Sequence, residues 1–399
     1  MQNNPLLETL PDYPFDRLRA LLNGVSPPEG LEPISLAVGE PQQPIPDFAY
    51  EVLAENGVDG WNRYPPFNGS PDLRAAFAGW LGRRYGLGPG DIDPDRHVLA
   101  CAGTREALYL FPTWLVPSEK NGKRPIVAMP NPFYHVYGTG ALATGAESFY
   151  MAATPETGHL PDLDALDGET LDRLALMFIC SPANPQGVFA DSVYLERAVG
   201  LARKHDFVLA VDECYADVYD DAPPPGVLQV CKEMGDGGYD NIIAFHSLSK
   251  RSNGAGLRSG FLAGDPDILA GFGRFRSYIA ASVPLPVDRV SAALWADDGH
   301  AADVRAFYRA NIDRAGRVLG NRFGFYRPPG GFFLWLDVGD GETAARKLWQ
   351  DAALRVLPGA HTSRPGPDGS TPGDAFIRIA LVTPGAVLDE ALRRLVNTL

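Results

Sequence analysis

The segment around Lys250 holds the residue types and spacing most suggestive of covalent chemistry. An apolar run, 242–246, leads into Ser247, Ser249 and Lys250, and Arg258 follows eight residues after the lysine. An amine becomes nucleophilic where burial or a nearby cation disfavours its charge, and a lysine just past a buried strand meets that condition. The two serines and the arginine can hold a phosphate. The combination indicates a lysine that forms a Schiff base with a phosphorylated cofactor, although a lysine taken alone is usually a solvated surface residue.

A second candidate for phosphate binding is Gly103-Thr104-Arg105, where an apolar run gives way to a helical pattern. Backbone amides at the first turn of a helix form a natural phosphate site, and glycine lets a ligand approach closely. Taken alone, the segment is more easily explained as an ordinary strand-to-helix turn. Together with Ser247 and Arg258, it indicates a phosphate site.

Polar and aromatic residues follow three further apolar runs. Asp212 ends one run, and a buried carboxylate there needs a partner such as a protonated pyridine nitrogen, unless it caps the next helix. Tyr215, three residues on, is placed to reach a phenolic oxygen of the same ring. Asn184 is held extended by the proline after it, so that its amide either points above the strand ends or belongs to a plain turn. Tyr134 either stacks on a flat ring or packs in the core.

Arg378 is the one charged residue in the apolar run 376–381. A buried guanidinium without an anionic partner is costly. The partner is either a carboxylate of the chain itself or a substrate carboxylate held through two parallel hydrogen bonds.

The bulk composition indicates an ordinary globular protein. The chain has 399 residues, 45% of them hydrophobic and 21% charged, which favours two domains. A net charge of −14 without a basic run argues against nucleic-acid partners and anionic membranes. The four cysteines form no CxxC pair, so we expect free thiols and no metal site. Without a leader-like N-terminus or a membrane span, we expect a cytoplasmic protein.

Short apolar runs alternate with amphipathic stretches through the middle of the chain. The predicted strands are 97–101, 125–129, 147–151, 174–180, 207–212, 242–246 and 259–263. Such alternation predicts an α/β fold with a largely parallel seven-stranded sheet, whose ligands bind beyond the carboxyl ends of the strands. One long helical stretch, 287–319, and three short strands near 331–338, 355–357 and 376–381 follow. We therefore expect a large domain, 39–284, and a smaller α/β domain formed by 1–38 and 285–399.

Taken together, these segments resemble the fold-type I, class I/II aminotransferases, which depend on pyridoxal 5′-phosphate. The order Gly-Thr, aromatic, Asn-Pro, Asp-x-x-Tyr, Ser-x-x-Lys and Arg eight residues later is specific in combination, and the resemblance covers nearly the whole chain. It implies an enzyme that moves an amino group between an amino acid and a 2-oxo acid. A carbon–sulfur lyase on the same fold is an alternative, and a regulatory protein without activity is disfavoured because Lys250 and Asp212 are both present.

The resemblance also implies a role for each candidate residue. Lys250 would bind the cofactor covalently, and Asp212 would pair with its pyridine nitrogen, while Asn184 and Tyr215 would contact the ring oxygen. Tyr134 would stack on the ring. The phosphate would be held by Gly103, Thr104, Arg105, Ser247 and Arg258, with Tyr64 of a neighbouring subunit of a homodimer. The substrate carboxylate would be held by Arg378, Asn184 and the backbone at Gly39.

Several passages are similar to the subgroup of N-succinyldiaminopimelate aminotransferases. They are Tyr13–Arg19, Asn131–Tyr134, His246–Asn253, Gly256–Phe261 and Leu357–Gly359. The chain departs from that subgroup's pattern at Gln186, Gly254-Ala255, Asp288 and His361, which puts the exact substrate in doubt. Candidate contacts for the distal acidic group of such a substrate are Arg364, Arg276 and Tyr278, each of which is otherwise surface charge or packing.

Overall fold

The structure, a computed structural model, describes residues 5–8, 10–56, 59–235, 238–279, 283–366, 369 and 371–399. Within these ranges the strands are β1 (Ile34–Ser35), β2 (Val98–Cys101), β3 (Ile126–Asn131), β4 (Glu147–Ala152), β5 (Leu174–Cys180), β6 (Val208–Asp212), β7 (Ile242–Ser247), β8 (Gly260–Gly264), β9 (Phe333–Asp337), β10 (Leu354–Arg355), β11 (Leu357–Pro358) and β12 (Phe376–Ala380).

The α-helices of the same ranges are α1 (Pro5–Glu8), α2 (Pro14–Leu21), α3 (Asp47–Asn56), α4 (Pro71–Tyr85), α5 (Thr104–Leu115), α6 (His135–Thr144), α7 (Gly168–Arg173), α8 (Ser192–Lys204), α9 (Val227–Glu233), α10 (Leu248–Arg251), α11 (Pro266–Arg276), α12 (Leu285–Ala296), α13 (Gly299–Leu319), α14 (Gly341–Ala352) and α15 (Gly385–Thr398).

A seven-stranded sheet forms the centre of the larger unit, in the order β2-β8-β7-β6-β5-β3-β4. β8 runs antiparallel to both of its neighbours, and the other adjacent pairs are parallel. The predicted α/β fold with a mostly parallel seven-stranded sheet is confirmed, and the strand ends differ from the expected ones by at most two residues. β5, β6 and β7 are buried along their whole length, as continuous apolar runs covered on both faces should be.

Strand alternation decides which face of the sheet receives Asp212. In β6, Val208 and Ala210 pack in the core beneath α5 and α6, whereas Leu209 and Val211 pack in the core on the opposite face. Because successive side chains alternate, Asp212 follows Val208 and Ala210 to the α5/α6 side. It does so at the carboxyl end of the strand, where parallel sheets bind ligands.

The smaller unit is built on a three-stranded antiparallel sheet, β11-β12-β9, and a short parallel pair, β1 and β10. Its core combines these strands with α13, α14 and α15. The single strand predicted at 355–357 is wrong: the chain contributes β10 to one sheet and β11 to the other. Arg378 lies in the middle strand of the three, opposite Leu357 and Trp335.

The continuous helix predicted at 287–319 is also wrong, because α12 ends before Asp297 and α13 begins at Gly299. Asp297 is extended, and its carboxylate accepts a hydrogen bond from the backbone N–H of His300, in the first turn of α13, at 2.9 Å. Val290, Leu294 and Trp295 of α12 pack with the core of the larger unit. We therefore propose that the larger domain extends beyond the expected limit of residue 284, through α12, and that the smaller domain resumes near Asp298.

Within the described ranges, the helices include none with the length and apolar character needed to cross a membrane.

Candidate active site

A cavity of about 720 Å³ lies at the carboxyl ends of β5, β6 and β7 and reaches the smaller unit at Arg378. It brings together most residues that the sequence singled out, from segments spread over the whole chain. The predicted residues that line it are Gly39, Thr104, Arg105, Tyr134, Asn184, Asp212, Tyr215, Ser247, Lys250, Arg258 and Arg378. Gly103 lies directly against Arg258, and Tyr64 lies outside the cavity.

Lys250 stands in α10, one short turn past the end of β7. The Ser247 hydroxyl accepts a hydrogen bond from the N–H of Ser249 at 3.1 Å and so caps this turn. The Lys250 Nζ donates to the carbonyl oxygen of Gly39 at 2.6 Å. Burial, with a smaller contribution from the positive charge of Arg378, lowers the pKa of Lys250 to about 8. A much larger fraction of this amine is therefore neutral near pH 7 than of an ordinary lysine.

Asp212 is buried and is held by two hydrogen bonds. Its Oδ2 accepts from the Tyr137 hydroxyl at 2.7 Å, and its Oδ1 accepts from the N–H of Cys214 at 3.1 Å. Burial raises the pKa of Asp212, although these hydrogen bonds and the positive charge of Lys250 oppose the rise. None of these contacts is an ion pair. A cation against this carboxylate, such as a protonated pyridine nitrogen, fits the site chemically.

Two features at the start of α5 suit a phosphate. Gly103 precedes the helix with φ near 80°, and no side chain of the described residues caps the first turn, so backbone amides are available to an anion. A Cβ added to Gly103 would lie only 2.1 Å from a guanidinium nitrogen of Arg258. Glycine is therefore required both for the backbone angle and for the close approach of the arginine.

Arg378 is buried without a carboxylate partner among the described residues. One guanidinium nitrogen donates to Asn184 Oδ1 at 3.1 Å and another to the carbonyl oxygen of Ala37 at 2.7 Å. Its Nε is buried and has no hydrogen-bond partner in the described ranges. Burial lowers the pKa of Arg378 to about 10. Of the two partners that the sequence left open, the internal carboxylate is not found in the part of the chain that the structure describes, so the guanidinium remains available for a bound anion.

Sequence reasoning missed Tyr137 and the side chain of Arg105. Tyr137 lies in the first turn of α6, three residues after Tyr134, which precedes the helix, and this spacing does not reveal the contact with Asp212. We expected Arg105 to act through its backbone amide. Its side chain also has a partner, since Nε donates to the Tyr134 hydroxyl at 2.7 Å. Arg105 thus fixes the aromatic ring that the sequence assigned to stacking.

None of the three proposed distal contacts lines this cavity. Arg276 is completely buried, and its guanidinium donates to the carbonyl oxygen of Ala100 at 2.6 Å, so it supports the sheet rather than a ligand. Tyr278 is 84% exposed. Arg364 alone of the three remains a candidate, because it lines a cavity that adjoins the pocket.

Tyr64 is 96% exposed, and the pocket of its own chain lies elsewhere. A large aromatic side chain in that position is available to a second subunit. Its contact with a neighbour's phosphate stays a prediction.

The family described as aminotransferase class I and II matches the chain over residues 32–395. The chain belongs to this family. The chain is 32% identical to an LL-diaminopimelate aminotransferase of Nitratidesulfovibrio vulgaris (strain DSM 19637 / Miyazaki F), a match that covers 98% of this chain and 97% of that one.

Two solved structures show the same architecture. An aminotransferase from Neisseria meningitidis Z2491 superposes with a TM-score of 0.94 at 37% identity, covering 99% of both chains. A probable N-succinyldiaminopimelate aminotransferase from Thermus thermophilus superposes with a TM-score of 0.84 at 25% identity, covering 97% of this chain and 100% of that one. The protein is therefore an enzyme, an aminotransferase that depends on pyridoxal 5′-phosphate.

Proposed function

We propose that this aminotransferase acts on N-succinyl-LL-diaminopimelate, with 2-oxoglutarate as amino acceptor. The main support for the proposal is the location of the passages that resemble that subgroup. They come from distant parts of the chain and meet at one cavity. The residues of those passages that line it are Tyr13, Pro14, Phe15, Phe133, Tyr134, Ser247, Ser249, Lys250, Arg258 and Leu357. Of the positions that depart from the subgroup, Ala255 lines the cavity, whereas Gln186, Asp288 and His361 do not.

The departures at Asp288 and His361 are explained by local contacts rather than by substrate. Asp288 accepts hydrogen bonds from the N–H and hydroxyl of Ser70, the residue that caps α4. His361 lies 2.9 Å from a carboxylate oxygen of Glu342. These positions therefore give no reason to exclude the succinylated substrate.

We propose a task in the transfer for four polar groups of the pocket. When bound, pyridoxal phosphate supplies the electron sink for proton loss at the substrate's α-carbon. We propose Lys250 as the base and acid that moves this proton, since its lowered pKa leaves a neutral amine available. Asp212 would retain the proton on the pyridine nitrogen and so stabilise the developing negative charge. Arg378 and Asn184 would hold the α-carboxylate, which fixes the orientation of the α-carbon–hydrogen bond.

A second candidate substrate is LL-diaminopimelate without the succinyl group. It is favoured by the relatives with that name, two of which are 32% and 31% identical to this chain. The succinylated candidate is favoured by the subgroup passages and by the room beside the pocket, where a further cavity of about 810 Å³ adjoins it.

The two candidates are separated by steady-state kinetics of the purified enzyme with 2-oxoglutarate, followed by glutamate formation. We expect kcat/KM for N-succinyl-LL-diaminopimelate to exceed that for LL-diaminopimelate by at least about tenfold, the effect of one well-placed charged contact. Equal values, or a preference for the free amino acid, would refute the succinylated assignment. In a separate assay with cystathionine and no 2-oxo acid, cleavage of its carbon–sulfur bond to a thiol, pyruvate and ammonia would instead indicate the lyase alternative.

A further inference from the structure

The cavity of about 810 Å³ beside the pocket is a continuation of the active site. It lies between the segment before α2, the helices α5 and α6, and the loop that carries Arg364. The residues that line both spaces are Tyr13, Pro14, Arg105, Phe133, His135 and Arg258. A ligand whose α-carboxylate binds Arg378 can therefore extend past these shared residues.

Arg364 is held at the far wall of this cavity by its backbone. Its N–H donates to Asn131 Oδ1 at 3.0 Å, and Asn131 Nδ2 donates to its carbonyl oxygen at 2.8 Å. The guanidinium lies 5.4 Å from the centre of the Phe133 ring and donates to the carbonyl oxygen of Ser363 at 2.8 Å. Among the described residues, its electrostatic partners are Tyr150 and Arg17 rather than a carboxylate. The part of the chain that the structure describes thus fixes this cation in place without pairing it to an anion.

His135 shows that several cations converge on this passage. Burial, together with the positive charges of Arg105, Arg378 and Arg364, lowers the pKa of His135 to about 4. The imidazole is therefore neutral at physiological pH, and it packs edge-on against Tyr13 with ring centres 4.8 Å apart. Arg378, from β12, lines the pocket with His135, Arg364 lines the adjoining cavity with it, and Arg105, from α5, lines both.

The carboxylates that line the cavity do not neutralise these cations. Glu106 accepts a hydrogen bond from the N–H of Ala102 at 3.0 Å and lies 3.5 Å from the guanidinium of Arg276. Asp12, the other carboxylate that lines the cavity, is exposed. An anionic ligand is the chemistry that this arrangement fits.

We propose that the Arg364 cavity is the subsite for the distal carboxylate of a dicarboxylic amino acid, with Arg364 as its counter-ion and His135 as the wall between the two carboxylate sites. This inference rests on the proposed function for the identity of the substrate. The subsite itself requires only a ligand with acidic groups at both ends. It makes Arg364 and His135 specificity-determining residues.

The test measures binding of unreactive acids to the cofactor-loaded enzyme by isothermal titration calorimetry. Pimelate carries a carboxylate at each end of a seven-carbon chain, and heptanoate carries one on the same chain. We expect the wild-type enzyme to bind pimelate at least about tenfold more tightly than heptanoate, as a charged hydrogen bond predicts. In Arg364→Gln this preference should fall to about twofold or less. The same substitution at Arg19, an 80% exposed arginine paired with Asp16 on neighbouring α2, controls for the change in net charge and should retain the preference.

A second variant tests the same idea from the opposite direction. His135→Glu places a carboxylate among the three guanidiniums, so it should remove the pimelate preference, whereas His135→Gln should retain most of it. Equal binding of pimelate and heptanoate by the wild-type enzyme, or an unchanged preference in Arg364→Gln, would overturn the subsite. A retained pimelate preference in an enzyme that does not use N-succinyl-LL-diaminopimelate would leave the subsite standing and reject only the proposed substrate.

Discussion

The pocket has two parts that are held in different ways. The floor is formed by Asp212, Ser247 and Lys250 at the strand ends, and the outer part by Tyr13 and Arg364. Asp212 and Ser247 end adjacent parallel strands, whose hydrogen-bonded register fixes their positions relative to each other. Tyr13 and Arg364 belong to irregular segments before α2 and before β12, and each is fixed by a few local contacts. A rigid sheet edge suits chemistry that must not change, whereas loops can vary to fit different substrates. The comparison predicts that changes to the floor affect every substrate, and changes to the outer part affect substrates selectively.

Lys250→Ala should cause the largest loss, at least about 10⁴-fold in kcat, since the variant loses both the covalent attachment and the proton carrier. The kcat is measured as the rate at which glutamate forms from 2-oxoglutarate and a saturating amino donor. Lys232→Ala, which removes an exposed lysine that binds Asp91, is the matched control and should keep wild-type activity. Substantial turnover by Lys250→Ala would remove this residue from its role and weaken the contrast between floor and outer part.

Asp212→Ala should lower kcat by about 10²- to 10³-fold for all donors, because a preorganised charge that stabilises the transition state is lost. Asp212→Glu keeps a carboxylate at the strand end and should lose far less. Steady-state rates for both variants, with cofactor content checked by absorbance, provide the measurement. Similar rates for the two variants would argue that the carboxylate does not face the cofactor.

Arg378→Ala sharpens the comparison because Arg378 lies where floor and outer part meet. Its loss removes a charged hydrogen-bonding partner of the α-carboxylate, a cost of about 2–3 kcal/mol, or roughly 10²-fold in kcat/KM. Alanine and glutamate should suffer alike, since both carry that carboxylate. A loss confined to glutamate would place Arg378 in the distal subsite instead.

The sequence predicted the positions of the floor residues well and those of the outer part poorly, for a physical reason. A polar residue at the end of an apolar run, such as Asp212, indicates both its burial and its edge of the sheet. The direction of a side chain on a helix or in a loop depends on packing that sequence spacing does not contain. Arg276 and Arg364 therefore looked equivalent as distal contacts, yet the structure turns Arg276 onto Ala100 and leaves Arg364 in a cavity. The contact between Tyr137 and Asp212 likewise required knowledge of where α6 packs.

The lowered pKa of Lys250 predicts how the cofactor-free enzyme captures pyridoxal phosphate. Only the neutral amine attacks, so the capture rate should rise about tenfold per pH unit below pH 8 and level off above it. An ordinary lysine, with a pKa of 10.5, would show the same rise up to about pH 10. Stopped-flow absorbance of the cofactor measures the rate, and propylamine measured in parallel corrects for ionisation of the cofactor itself. A midpoint near pH 10 would show that burial does not activate Lys250.

The smallest effect is expected for a substitution at Tyr64. This substitution tests a third region, the surface between subunits. If its hydroxyl binds the phosphate in a neighbouring subunit, Tyr64→Phe should weaken cofactor binding about tenfold, or about 1.4 kcal/mol, while each subunit keeps its own floor intact. Equilibrium dialysis of the cofactor measures the loss, and light scattering at assay concentration should show a homodimer for both proteins. Tyr50, another exposed tyrosine at 58%, is the control, and Tyr50→Phe should bind normally. An active monomer, or unchanged cofactor affinity in Tyr64→Phe, would show that one chain builds the complete site and that floor and outer part are its only two regions.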